Sequence, residues 1–99
     1  MRGRLPVLRD ATDTLVFEAR RFTVAVEYHY KAYNAYVQAR RVEQSLIRAG
    51  GKTTENEIEQ ARNTVRDTYR GLEKATKELN ERWANLRETR RSYQQRRLI

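Results

Sequence analysis

The chain has no cysteine, one proline, one histidine and four glycines in 99 residues, and no long apolar run. Without cysteine there is no disulfide framework and no thiolate metal site, which suits an intracellular, reducing compartment. His29 stands alone, with no second histidine or cysteine to complete a metal site. It is read as a packed or interface histidine, and neither metal nor cofactor is expected. No window approaches the roughly 18 apolar residues of a membrane span. No Ser-His-Asp, Cys-His or phosphate-loop arrangement is present, so the residues offer no familiar catalytic constellation. Helix breakers are almost missing too. Pro6 is the single proline and only Gly50 and Gly51 form a pair, leaving two long stretches, Val7 to Gly50 and Lys52 to Ile99, free to be helical.

What is present is charge and periodicity. Hydrophobic residues make up 38% and charged residues 34% of the chain, too polar for a thick globular core and suited to long helices solvated on one face. Ile58, Val65, Leu72, Leu79, Leu86 and Tyr93 recur every seven positions without a miss. A strict seven-residue repeat keeps one line of a helix against a partner, the signature of a coiled coil. The fold class expected is therefore all-α: one domain, 1–99, forming an antiparallel two-helix coiled-coil hairpin completed by self-association or by docking into a larger assembly.

The break between the helices is written locally. Arg48 sits where positive charge suits a helix C-terminus, and Gly50 or Gly51 can take the left-handed capping conformation. Thr54 and Glu57 then have the spacing of a capping box, with Glu55, Glu57 and Glu59 complementing the positive end of the next helix. Helix one is expected over about 6–49, the turn over 50–54 and helix two over about 55–96. So short a connection makes the helices antiparallel neighbours.

Facing positions in such a hairpin have a constant number sum, here near 104. That register sets Leu46 beside Ile58, Ala39 beside Val65, Ala32 beside Leu72 and Ala25 beside Leu79. Three bulky residues each meet an alanine, so the helices can approach closely without voids. These eight residues and Leu86 are the expected hairpin interface. The pattern degrades where Glu18 would face Leu86, and there Phe17 or Phe22 must take over. The second heptad position of helix two is also small, at Ala61, Thr68 and Ala75.

Helix one carries more apolar surface than one facing helix can cover. Val26, Tyr28, Tyr30, Tyr33, Tyr36 and Val37 are the expected partner interface, since an exposed patch of this size usually marks a protein contact. Four closely spaced tyrosines could also stack nucleic-acid bases, but an apolar ring with a polar tip is equally an interface residue, and that reading is preferred.

The net charge is +8, with seventeen arginines and four lysines against 13 acids. A hairpin brings both termini to one end, where residues 1–21 and 81–99 hold 11 basic and five acidic residues. Arg2, Arg4, Arg9, Arg82, Arg87, Arg90, Arg91, Arg96 and Arg97 are the candidate polyanion-binding set, for nucleic acid or an acidic protein surface. The start, Met1 to Arg9, is basic like some organelle-targeting segments. Asp10 and Asp13 follow early and no serine occurs in the first forty residues, so a cleaved leader is not expected.

Two family resemblances bear on function. The run Leu79-Asn-Glu-Arg-Trp-Ala-Asn-Leu86 resembles the last helix of a spectrin-type repeat. It covers under a tenth of the chain, and Arg90, Tyr93 and Arg97 depart from that pattern downstream. The chain also lacks three helices of similar length, so the similarity is read as one between coiled coils, with Trp83 packed at the seam's edge. In size, and in placing Arg, Lys, Glu and Gln on helices, the chain is similar to small all-helical chorismate mutases. Catalysis by such groups needs a water-excluding pocket, whereas here the charges follow solvent-facing positions. The function expected is a non-enzymatic structural or assembly subunit working through coiled-coil and aromatic interfaces with itself or neighbouring subunits. The alternative is a nucleic-acid-binding subunit using the basic end, and the remote alternative a small helical enzyme.

Overall fold

The computed structural model describes the backbone of residues 4–98 and the side chains of residues 11–95. Two helices, α1 (Arg4–Ala49) and α2 (Glu55–Leu98), are joined by a single 3₁₀ turn at Gly50–Lys52. They pack against each other as an all-α hairpin, with no strand among the described residues. Each helix runs about two residues further at its outer end than the sequence suggests, within the ordinary latitude of helix boundaries. No helix is long and apolar enough to cross a membrane among the described residues.

The turn is made by a few local bonds. Gly50 takes the left-handed conformation at φ +60°, which costs an L side chain a clash that glycine avoids. Its carbonyl accepts from the Thr53 amide at 3.0 Å, closing the 3₁₀ turn, and Thr53 is extended. Helix α2 then starts on Thr54, whose carbonyl accepts the Ile58 amide at 3.2 Å. The Thr54 hydroxyl oxygen accepts from the Glu57 amide at 3.2 Å and the same hydroxyl lies 3.1 Å from Glu57 Oε1, to which it donates. The capping pair thus forms, but its return bond runs hydroxyl to carboxylate instead of carboxylate to the Thr54 amide.

Contacts gather into two compact units, Tyr28–Thr76 and Met1–Glu27 with Lys77–Ile99. In the unit containing the turn, the residues withdrawn from solvent on α1 are His29, Ala32, Tyr36, Ala39, Glu43 and Leu46, together with Val37 beside them. On α2 they include Ile58, Ala61, Val65, Thr68, Leu72 and Ala75. Both series step alternately by three and four, so each helix presents a two-position heptad seam. Tyr36 and Tyr69 lie with ring centroids 5.7 Å apart at 54°, a tilted pair of the favourable kind. The Thr68 hydroxyl, polar on this seam, donates back to the carbonyls of Thr64 at 2.8 Å and Val65 at 3.0 Å, so its half-burial leaves no donor unmet.

In the other unit the seam positions are Ala11, Leu15, Glu18, Phe22 and Ala25 on α1, and Leu79, Arg82, Leu86, Thr89 and Tyr93 on α2, again stepping by three and four. Phe22 meets Trp83 with ring centroids 5.3 Å apart. In each unit the ring pair's residue numbers sum to 105, one away from the register expected from the turn.

Only alanines are buried among the described residues: Ala11, Ala25, Ala39, Ala61 and Ala75, the last at 0% exposure. A two-helix layer is too thin to enclose a long side chain, so the large seam residues are half-covered and the small ones lie at the line of closest approach. Enlarging a buried alanine must push the helices apart. Ala75→Leu is expected to destabilise the fold by about 1–3 kcal/mol. Gly71 is the counter-example on the same helix: nothing lies within 4 Å of where its Cβ would be, and its φ is not in the left-handed range. Gly71→Ala is expected to stabilise by about 0.5–1 kcal/mol through the helix interior alone. Urea unfolding followed by circular dichroism at fixed protein concentration reads both, and equal signs would refute the close-approach account.

Candidate interaction surfaces

Three kinds of position are expected to be functional, and the structure distributes them by their place around each seam. Ala25, Ala32, Ala39, Leu46, Ile58, Val65, Leu72, Leu79 and Leu86 all lie on the heptad seams, either buried or half-buried. Sequence periodicity identifies one of the two seam positions on α1 and does not show the other as a repeat: Leu15, Phe22, His29, Tyr36 and Glu43, of which Phe22 is expected as a stand-in beside Glu18 and His29 as a packed or interface residue. The signal is a second seven-residue repeat offset by three or four. It is hidden because its members share no residue type, running through an aliphatic, a phenylalanine, a histidine, a tyrosine and a glutamate.

Tyr36 is the clearest relocation. Expected on the outward flank, it occupies the seam instead, half-buried against Tyr69, with the Arg40 guanidinium 6.0 Å from its ring centroid. Val37 is half-buried. The remaining flank residues are open to solvent. In the turn-containing unit these are Tyr28, Tyr30 at 65% exposure and Tyr33 at 50%, accompanied by Val42, Ile47 and Tyr69. In the other unit they are Val16, Phe17, Val24, Val26 and Trp83, of which Val24 is 64% exposed. His29 is half-buried on the seam and, by register, level with Ala75.

The basic set is divided in the same way. Arg87, Arg90 and Arg91 are exposed on α2. Arg91 approaches Glu88 only at 3.9 Å with both side chains largely in water, which makes the pair weak. Arg82 differs from these three in occupying a seam position and being half-buried. Arg2 lies outside the described residues, as do the side chains of Arg4, Arg9, Arg96 and Arg97.

On the same stretch of α2 as Arg87, Arg90 and Arg91, a shallow cleft is lined by Ala11, Thr14, Glu88, Thr89, Ser92 and Tyr93. Its hydroxyls share the cleft with one carboxylate, Glu88, whose side chain is largely in water. Compared with known proteins, the chain matches no protein-family model, no curated protein and no solved structure. The surfaces are therefore read on their own geometry.

The expected defect at Glu18 is present, and of the two residues expected to take over there it is Phe22 that does so. Phe22 holds the adjacent seam position while Phe17 points outward, 55% exposed, with the Arg21 guanidinium 5.4 Å from its ring centroid. Glu18 itself stays on the seam with a side chain 14% exposed. One carboxylate oxygen sits 3.8 Å from Arg21 Nη1, and the other, Oε2, is buried without a hydrogen-bond partner. An unsatisfied buried carboxylate oxygen costs free energy that an apolar side chain would not. Glu18→Leu is expected to raise the thermal midpoint, by about 1–3 kcal/mol of stability, the usual cost of an unpaired buried polar group. A lower midpoint in calorimetry would show that the carboxylate is held by something stabilising.

Proposed function

We propose that this chain is a non-enzymatic assembly subunit, a helical hairpin whose exposed aromatic and aliphatic flank is covered by protein in a larger complex. One observation supports this above the others. No large side chain is fully buried among the described residues, while eleven large apolar or aromatic residues are more than two-fifths exposed. Isolated apolar residues on a surface are ordinary, but runs on one helix such as Tyr28, Tyr30 and Tyr33 in one unit, or Val24 and Val26 in the other, are what interface cores look like. Tyrosine suits that role because its ring packs while its hydroxyl keeps a hydrogen bond at the rim.

The test is the native size of the chain in gentle extracts of its own cells, treated with nuclease and resolved by sizing chromatography and native mass spectrometry. A protein complex well above the 11.8 kDa chain is the expected outcome. A folded, stable monomer at micromolar concentration would overturn the reading.

A second reading rests on a separate observation, the exposed Arg87, Arg90 and Arg91 on α2. Here the subunit also binds the phosphates of RNA or DNA. If so, Arg87→Ala, Arg90→Ala and Arg91→Ala together weaken binding and flatten the salt dependence, by about 0.9 in the log–log slope for each phosphate no longer neutralised. Wild-type protein that shows no salt-sensitive retention of RNA or DNA would end this reading.

A further inference from the structure

Within the turn-containing unit, α1 carries a second heptad line beside the hairpin seam. Tyr30, Tyr33, Val37, Arg40, Gln44 and Ile47 recur at steps of three, four, three, four and three, and Tyr30, Tyr33 and Ile47 are about half exposed or more. Such spacing is what a further helix needs in order to seat its knobs along the line, and it is not what a loop or a strand would require. Tyr69 of α2, half exposed and packed on Tyr36, widens the line on its hairpin side.

The charge around the line identifies what fits. On α1 between residues 28 and 49 every exposed ionic side chain is a cation: Lys31, Arg40, Arg41 and Arg48. The one acid of that stretch, Glu43, is half-buried on the hairpin seam. On α2 the position flanking the seam on this side holds Glu55, Arg62, Tyr69 and Thr76, with Glu59 and Glu73 further round and Arg66 between them, so α2 adds charge of both signs and the excess of cations comes from α1. A second copy laying the same line against this one would bring together two α1 surfaces whose exposed ionic side chains are all cations. Like charges juxtaposed at an interface are costly, while opposite charges at flanking positions choose the partner and its orientation.

From this juxtaposition we infer that the α1 line of Tyr30, Tyr33, Val37 and Ile47 docks an amphipathic helix of another protein, apolar on its seam and acidic on its flanks. The inference rests on the assembly reading and names the chemistry of the partner. Phosphates would also meet the cations, but Val37 and Ile47 offer nothing to a nucleotide and their spacing suits a helix.

The experiment uses the full chain and two synthetic helices of about four heptads with one leucine seam, flanked by Glu in one and by Lys in the other. Binding is read by fluorescence anisotropy. The Glu-flanked helix is expected to bind at least roughly tenfold tighter than the Lys-flanked one. Tyr33→Ser with Ile47→Ser should lower affinity for the Glu-flanked helix by roughly tenfold while leaving the circular dichroism of the hairpin unchanged. If that double variant unfolds, the triple variant Arg40→Glu, Arg41→Glu, Arg48→Glu decides, because it should reverse the preference towards the Lys-flanked helix while leaving Tyr30, Tyr33, Val37 and Ile47 unchanged. Equal binding of both helices overturns the inference. So does self-association that the Glu-flanked helix cannot displace, or displacement of that helix by a short RNA at equal concentration. A large native complex together with no preference for the acidic helix would leave the assembly reading standing and remove only this partner.

Discussion

The rest of the structure depends on how closely two helices can lie when most levels of the seam, though not Leu46 with Ile58, Phe22 with Arg82 or Glu18 with Leu86, set a small side chain against a larger one. By register, Ala39 is level with Val65, Ala32 with Leu72, and His29 with Ala75 in the turn-containing unit, as Ala25 is with Leu79 in the other. The small partner alternates between helices from level to level, so the pair closes without a bulge on either. Close approach maximises dispersion contacts between backbones and the first atoms of each side chain. Its geometric cost is that the outer atoms of Leu, Val and Tyr project past the contact line, which is why the alanines alone are buried. The thinness of the fold and its exposed flank have the same origin.

Much of this was legible in the sequence, for identifiable reasons. The seven-residue repeat from Ile58 to Tyr93 is homogeneous and apolar, so it announces itself, and the Gly50–Gly51 pair followed by Thr54 and Glu57 places a turn with mechanism attached. The alanines of α1 were found only because α2 supplied the register. The other half of the α1 seam was not legible, since a repeat occupied in turn by Leu15, Phe22, His29, Tyr36 and Glu43 has period without composition. A seam in which the facing residue is small tolerates almost any shape opposite it. That tolerance also explains Tyr36, whose composition placed it with the other tyrosines while its position put it against Tyr69. Arg82 carries the same ambiguity: its charge suggests the surface, and its heptad position sets it on the seam, half-buried. Nothing in either helix encodes a partner's identity, because one side of an interface specifies shape and charge and not a name.

The polar residues on the seam bear on how the hairpin chooses its register. Apolar heptads can slide by seven residues at modest loss, and a single polar or charged seam residue is the best-attested way to forbid it. Glu43 is level with Ala61, where its stem can run outward to water; displaced by one heptad it would meet Thr68 or Thr54, both still small, so it does little to forbid the slip. Thr68 supplies its own acceptors from the helix beneath and is indifferent to what lies opposite. Glu18 is the exception, because one oxygen finds no partner. The turn, by contrast, restricts sliding directly, since Gly50 in the left-handed region and the Thr54 cap fix where α2 begins.

A fold this thin holds little stability in reserve, because large side chains that remain half in water yield only part of their transfer free energy. On the proposed reading the missing part is supplied by whatever covers the α1 flank, and folding is then linked to binding by mass action. The linkage has a consequence for how the two faces of α1 divide their work. Seam alanines and the Gly50 turn determine whether a hairpin exists at all, and changes there act on the free chain. The flank of Tyr30, Tyr33 and Ile47 is solvated in the free chain, so its apolar area contributes only once it is covered. Cations beside it add little to the stability of the free hairpin and much to the choice of partner, since exposed charge is screened in water and gains strength when desolvated. On the proposed reading, apolar spacing selects the shape of what docks, and the cations of α1 beside it select the chemistry.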